Sequence, residues 1–320
     1  MTILILAPER DISADCMVRT LERRGVPIVR FDTAWFPERA SIDAELRDGH
    51  WTGALTVGER GVRLEALRSI WYRNPSAYKF PAYLSATERH WAMSEAKLGI
   101  GGVLFALPVL WLNYPARIAD CYKPLQLVTA ARCGLTVPHT LITNRPDAVR
   151  RFAGEGETVA KALGAAAITE EGGRKTTFTH RLDEADLGDL RGIEVTVHQF
   201  QRWVPKAHDA RVFVVGERVF AAAIHGGSED TYVDWRNDYS ALHYERLEPP
   251  TSVLASTLEY CILFGLMYGA FDFVVRPDGE WVFLECNSGG QFGWIEDAVG
   301  APITGTIADL LQEGPSGARC

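Results

Sequence analysis

A chain of 320 residues is long enough for two or three packed subdomains and too short for many independent ones. Apolar residues make up 47% of it and charged residues 23%, an ordinary globular balance, and no run of about 18 apolar residues marks a membrane span. The net charge of −8 argues against general nucleic-acid binding, so neither nucleic acid nor membrane is expected as a partner.

Ile3–Leu6 reads as a buried strand, and the N-terminus lacks the basic flank and cleavage site of a signal peptide. A helix from about Ser13 to Arg24 follows and ends at Gly25. Val26–Phe31 and Ser69–Arg73 read as further strands. Ser85-Ala-Thr-Glu88 is a capping-box pattern that opens a long helix towards Gly99. This alternation predicts a small, mostly parallel α/β domain, with a boundary near Trp111–Asp120, where Asn113-Tyr-Pro115 breaks the pattern. The resulting division is 1–118, 119–198 and 199–320. The six cysteines (Cys16, Cys121, Cys133, Cys261, Cys286 and Cys320) form no C-x-x-C pair, which suggests reduced thiols in a cytoplasm.

The middle third begins with a helix over about Pro124–Arg132, ended by Gly134, followed by strands at Thr140–Thr143 and Thr158–Ala162. Gly164–Gly173 is small and polar and reads as a mobile loop before a strand at Thr176–Thr179. In the last third, Ala210–Val215 and Arg218–Ala223 flank Gly216-Glu217, a tight hairpin. Val253–Tyr268 reads as an apolar helix. Phe271–Val275 and Trp281–Cys286 then flank Pro277-Asp-Gly279, a final helix spans Ile303–Leu311, and Gly314 onward reads as a frayed tail.

Taking Asp278-Gly279 as a two-residue turn fixes a register. Arg276 then faces Trp281, Val274 faces Phe283 and Asp272 faces Glu285, with Asn287 on the face of Glu285. Two carboxylates directly opposite should repel, and a bound cation reverses that. Hard oxygen ligands suit magnesium, which typically joins one or two carboxylates to substrate phosphates. The alternative is a solvated acidic face.

Such a metal calls for a polyphosphate and for cations to hold it. Among only six lysines, Lys123 opens a helix and Lys161 ends a strand just before the Gly164–Gly173 loop. Arg211 follows Asp209 on a strand, and Arg236 follows Asp234-Trp235 in a loop; arginine can clamp a transferring phosphoryl group. Taken singly, each of these residues also fits a solvated surface charge, and it is their order that carries information.

That order resembles the ATP-grasp superfamily over roughly residues 119–296, with Ala270–Asn287 as its most specific stretch. Asn287-Ser-Gly-Gly-Gln-Phe-Gly-Trp-Ile-Glu296 and Gln201–Arg211 resemble the ATP-grasp ribosomal peptide maturases, or graspetide synthetases, which include the microviridin cyclases. The resemblance implies an α/β (α+β) ATP-grasp fold behind an N-terminal α/β pre-ATP-grasp domain. It implies ATP and Mg2+ as cofactors, with Lys123 and Lys161 on nucleotide phosphates. The hinge Arg202, Trp203 and Val204 would meet adenine through its backbone, and Asp209 would meet ribose. Arg211 and Arg236 would lie near the γ-phosphate and the acyl phosphate, and Asp272, Glu285 and Asn287 would hold magnesium. Arg202 stands where the family usually has Glu, and the phosphate loop is Ala-rich where the family's is densely glycine-rich.

The implied reaction activates an Asp or Glu side chain of a ribosomal precursor peptide (leader plus core) as an acyl phosphate. A Ser or Thr hydroxyl, or a Lys amine, then closes an ester or amide macrocycle. Homodimers are common in the family, so a homodimer is the implied assembly. Two other readings share the ATP machinery: a ligase adding an amino acid or amine to a small molecule or protein terminus, and a non-catalytic nucleotide-binding module. Trp71-Tyr-Arg-Asn-Pro75 fits a buried aromatic strand ending in a turn better than a peptide-docking surface.

Overall fold

The computed structural model describes residues 1–164, 167–170, 173–176 and 179–317. The first 119 residues carry β1 (Thr2–Leu6), β2 (Ile28–Phe31), β3 (Ala40–Arg47), β4 (His50–Val57), β5 (Arg60–Arg63), β6 (Leu67–Tyr72) and β7 (Leu110–Leu112), with helices α1 (Ile12–Arg23), α2 (Ala86–Phe105) and α3 (Pro115–Ala119). Strands β2-β1-β6-β7 form a parallel sheet, as the alternation predicts. Its centre is an unbroken apolar run, Ile3–Leu6, because both faces are covered. Asp11 caps α1 by accepting from the Ala14 N–H at 2.7 Å. Ser85 and Glu88 form the expected capping box, but α2 runs past Gly99 to Phe105. The antiparallel sheet β3-β4-β5 was not legible in the pattern. The Trp71–Pro75 stretch is the end of a buried strand, with Trp71 and Arg73 both inside.

The central region holds α4 (Lys123–Arg132), β8 (Thr140–Thr143), α5 (Pro146–Gly154), β9 (Thr158–Lys161), β10 (Ala167–Glu170), β11 (Gly173–Thr176), β12 (His180–Arg181), α6 (Glu184–Gly188) and β13 (His198–Arg202). The expected mobile loop is, where described, a hairpin: β10 pairs with β11 antiparallel. Ala165, Ala166, Glu171 and Gly172 of that loop lie outside the described residues. The strand expected at Thr176–Thr179 is divided, since Thr176 closes β11 and β12 begins at His180; Thr177 and Phe178 lie outside the described residues. Strands β12-β9-β13-β8 form one antiparallel sheet, so β13 spans the expected edge between 198 and 199.

The last region contains β14 (His208–Val215), β15 (Arg218–Gly226), α7 (Glu229–Val233), β16 (Leu242–Arg246), α8 (Thr251–Phe264), β17 (Tyr268–Val275), β18 (Trp281–Asn287), α9 (Gly293–Val299) and α10 (Ile303–Glu313). Its sheet order is β16-β15-β14-β17-β18. The hairpin at Gly216-Glu217 has the two-residue loop expected, with Val215 opposite Arg218. Helix α8 ends at Phe264, four residues before the expected Tyr268. Gly265 takes the left-handed conformation (φ +64°) and ends it, and Tyr268 opens β17. Gly314–Gly317 forms a 3-10 turn in the expected tail, and residues 318–320 lie outside the described residues.

One face of the C-terminal sheet packs on α4 and α8 through residues such as Leu127, Tyr260, Phe271 and Phe283. Part of the other face shares a core with the N-terminal sheet, joining Ile3, Leu110 and Leu112 to Phe213, Tyr268 and Ile307. Among the described residues no helix is long and apolar enough to cross a membrane.

Candidate active site

The hairpin of β17 and β18 supplies the carboxylates. Its loop has three residues, not two. Arg276 N–H bonds the Glu280 carbonyl at 2.9 Å, Gly279 has φ +87°, and Val275 rather than Arg276 faces Trp281. Phe273, not Val274, therefore faces Phe283, and the expected register fails near the turn. A bulge at Leu284 then inserts one residue, and Asp272 faces Glu285 after all. Two departures from the simple ladder cancel. The bulge also lets Leu284 and Glu285, consecutive in sequence, both line the same cleft.

That cleft lies between the central and C-terminal sheets. Of the eleven residues singled out from sequence, nine line it: Lys123, Lys161, Arg202, Trp203, Val204, Asp209, Arg236, Asp272 and Glu285. Arg211 stands directly behind, with NH1 2.7 Å from Asp272 Oδ1. Asn287 is exposed at the edge, two residues beyond Glu285, and its Oδ1 accepts from the Gly289 N–H at 3.0 Å.

Glu285 sits among cations. Lys123 Nζ is 3.0 Å from one carboxylate oxygen and Arg236 NH1 is 3.6 Å from the other. Burial opposes its charge, but Lys123, Arg236 and Lys161 outweigh burial and hold the carboxyl below its usual range. Asp272 goes the other way: burial raises its pKa, Arg211 pulls it back, and Glu285 pushes it up again. Lys123 reaches this position because it opens α4, from which Nζ also donates to the Ala162 carbonyl at 2.7 Å. Lys161 closes β9; burial lowers its pKa while Glu285 supports its charge. Arg236 is aimed by Asp234, which accepts from Nε at 2.8 Å and from NH2 at 2.7 Å. Burial disfavours the Asp234 charge, but this fork and the Thr179 N–H pull its carboxyl down to about 2.

The opposite wall is the end of β13. The Arg202 side chain turns away from the cleft to the Phe152 and Gly156 carbonyls, at 3.0 and 2.7 Å, so at this position only backbone is left to face a ligand. Trp203 N–H is taken by the Glu157 carbonyl at 2.9 Å, whereas Val204 N–H finds no partner among the described residues. Gln199 and Gln201 each keep a buried, unpaired Oε1 on this wall. Pro138, Val159, Val274 and Leu284 add apolar surface. Asp209 pairs with Lys206 in the interior; burial, resisted by Lys206, pushes its carboxyl up to about 6. Lys206 was not singled out from sequence, where nothing distinguishes it from a solvated lysine.

These features suit a nucleotide: an apolar slot with unpaired backbone and amide groups at one end, and three cations at the other. They also suit magnesium. Among the described residues no group of three or more His, Cys, Asp or Glu side chains is arranged to hold a metal. The two facing carboxylates, Asp272 and Glu285, are hard-oxygen donors of the kind a magnesium takes when phosphate and water supply its remaining ligands.

The family model of the MvdD pre-ATP grasp domain matches residues 2–119. Macrocyclase MdnC from Microcystis aeruginosa, solved with precursor peptide MdnA, is 32% identical; the match covers 98% of this chain and 100% of that one, with a TM-score of 0.85. The RiPP-associated ATP-grasp ligase of Chryseobacterium gregarium, solved with ADP and a leader and core peptide, is 29% identical over 98% of this chain and 96% of that one, with a TM-score of 0.88. A probable alpha-L-glutamate ligase of Aliivibrio salmonicida is 26% identical over 205 residues. The chain spans about 64% of the length of that curated relative, short of two thirds.

Proposed function

The chain belongs to the ATP-grasp ribosomal peptide maturases, and from that premise we propose that it is an ATP- and magnesium-dependent peptide macrocyclase. It would act in the cytoplasm on a ribosomally made precursor peptide. The observation that carries this reading is the convergence of Lys123, Lys161 and Arg236 on Glu285 in a cleft whose other wall offers unpaired groups to a base. The full-length likeness to peptide macrocyclases supports the choice of substrate.

In this reading the adenine lies against Leu284 and Val274 and meets the backbone of Arg202–Val204, while Asp209 meets the ribose. Lys123 and Lys161 hold the phosphates. Asp272, Glu285 and Asn287 would hold magnesium, which when bound neutralises polyphosphate charge and orients the γ-phosphoryl group. Arg211 and Arg236 are held rigidly by Asp272 and Asp234, so they meet developing charge without reorganising. A substrate carboxylate oxygen attacks the γ-phosphorus and ADP leaves. A substrate hydroxyl or amine then attacks the acyl carbon, loses its proton, and phosphate departs carrying the carboxylate oxygen. Both reacting groups belong to the peptide, so the protein supplies positioning and charge rather than a nucleophile.

The glutamate-ligase relatives favour a second reading, in which the same cleft joins an amino acid to an acceptor. Mass spectrometry separates the two. A candidate precursor peptide rich in Thr, Asp and Glu, incubated with enzyme, ATP and magnesium, is expected to lose one water per bond formed. A gain of one amino-acid residue would establish the second reading instead.

A further inference from the structure

The four residues after Asn287, Ser288-Gly-Gly-Gln291, form a loop whose two glycines leave it little intrinsic stiffness. Side chains supply the stiffness. Every carbonyl in the run accepts a hydrogen bond. Ser288 O takes Asn113 Nδ2 at 2.7 Å, Gly289 O takes Arg73 NH1 at 3.0 Å, Gly290 O takes Tyr268 OH at 2.8 Å, and Gln291 O takes Arg211 NH2 at 3.2 Å. Gln291 is held again through its side chain, which accepts from Ser13 Oγ at 2.6 Å. Three of these five donors, Ser13, Arg73 and Asn113, come from the N-terminal domain.

Arg73 is the unusual one. Its side chain is 4% exposed, it has one carboxylate partner, Asp11 at 3.2 Å, and its Nε finds no acceptor. Simple packing between domains would not need a buried guanidinium with an unpaired donor, which is costly to desolvate. What Arg73 does is tie Asp11, the cap of α1, to the loop. The loop in turn sets two residues beside the cleft, Asn287 at its edge and Arg211 behind Asp272. Gly289 N–H holds Asn287 Oδ1, and Gly290 lets Arg211 approach: a Cβ there would stand 2.9 Å from Arg211 NH2.

We propose that Arg73 is a positioning residue of the active site, acting from the N-terminal domain through the Ser288–Gln291 loop on Asn287 and Arg211. This rests on the reading of Asn287 as a magnesium ligand. Manganese serves as a spectroscopic stand-in for magnesium: its binding to the full-length protein saturated with ADP is read by electron paramagnetic resonance, and metal-free ADP binding by calorimetry. Arg73→Ala is expected to leave metal-free ADP affinity within about twofold and to weaken manganese binding about tenfold, as loss of a partner behind a ligand typically does. Arg73→Lys, which can still reach one of the two partners, is expected to recover part of the loss. Tyr268→Phe removes only the bond to Gly290 and is expected to give a milder loss, which covers the case in which Arg73→Ala fails to fold. Wild-type manganese binding in Arg73→Ala and Tyr268→Phe, with a loss in Asn287→Ala, would overturn the positioning role and leave the reading of the cleft standing. An equal loss of metal-free ADP binding in Arg73→Ala would also overturn it, marking Arg73 as general scaffold. Wild-type manganese binding in Asn287→Ala would remove Asn287 from the ligand set and this inference with it.

Discussion

Asp272 and Glu285 face each other across a strand pair, yet their surroundings treat them differently. Glu285 is held charged by Lys123 and Arg236, while Asp272 is deeply buried and rests on Arg211. Two carboxylates facing each other across a strand pair suit a bound cation, which relieves their mutual repulsion. Glu285→Gln and Asp272→Asn keep the shape and remove one charge each. Each is expected to lower peptide-dependent ATP turnover by on the order of a hundredfold or more, the scale seen when one preorganised charge contact is lost. Wild-type turnover in either, measured as ADP release, would take that residue out of the site. These two residues were legible in sequence because their spacing about a Gly-containing turn made them neighbours. Lys206 was not, because its burial beside Asp209 comes from the way β13 leads into β14, which no local pattern records. Arg73 was hidden for a similar reason: its partners lie 62 and 216 positions away.

The strand pair β17–β18 shows how an element can be read rightly for a partly wrong reason. A two-residue turn predicts Asp272 opposite Glu285, and so does a three-residue loop followed by a bulge, because each irregularity shifts the register by one. Leu284 carries no signal of the bulge; its position follows from Phe283 packing against Tyr260, Phe271 and Phe273 in the core below. The bulge has a use. It turns two consecutive side chains to the cleft, an apolar one and a charged one. Leu284→Ala should therefore raise the KM for ATP about five- to tenfold, from lost apolar contact of roughly 1–1.5 kcal/mol, and leave kcat nearly unchanged, the mark of uniform binding. A fall in kcat without a change in KM would contradict that division of labour. The hairpin β10–β11 was not legible within the stretch read as a mobile loop, because its small, polar residues lack the apolar alternation that marks a strand.

At the scale of the molecule, three sheets do separate work. The C-terminal sheet carries the carboxylates and Arg211, the central sheet supplies Lys161 and the hinge, and the N-terminal sheet shares a core with the first and braces the loop after Asn287. The α/β class and the parallel N-terminal sheet were legible because strand and helix alternate there with clear stops. The union of N- and C-terminal cores was not, since it joins Ile3 and Leu112 to Phe213 and Ile307 across most of the chain. In the proposed reaction, ring closure depends on one chemical event, the activation of a peptide carboxylate by ATP. A precursor peptide labelled with oxygen-18 in its Asp and Glu side-chain carboxylates tests it directly. Each phosphate released during ring closure is expected to carry one labelled oxygen, and phosphate released without label while rings form would contradict carboxylate activation.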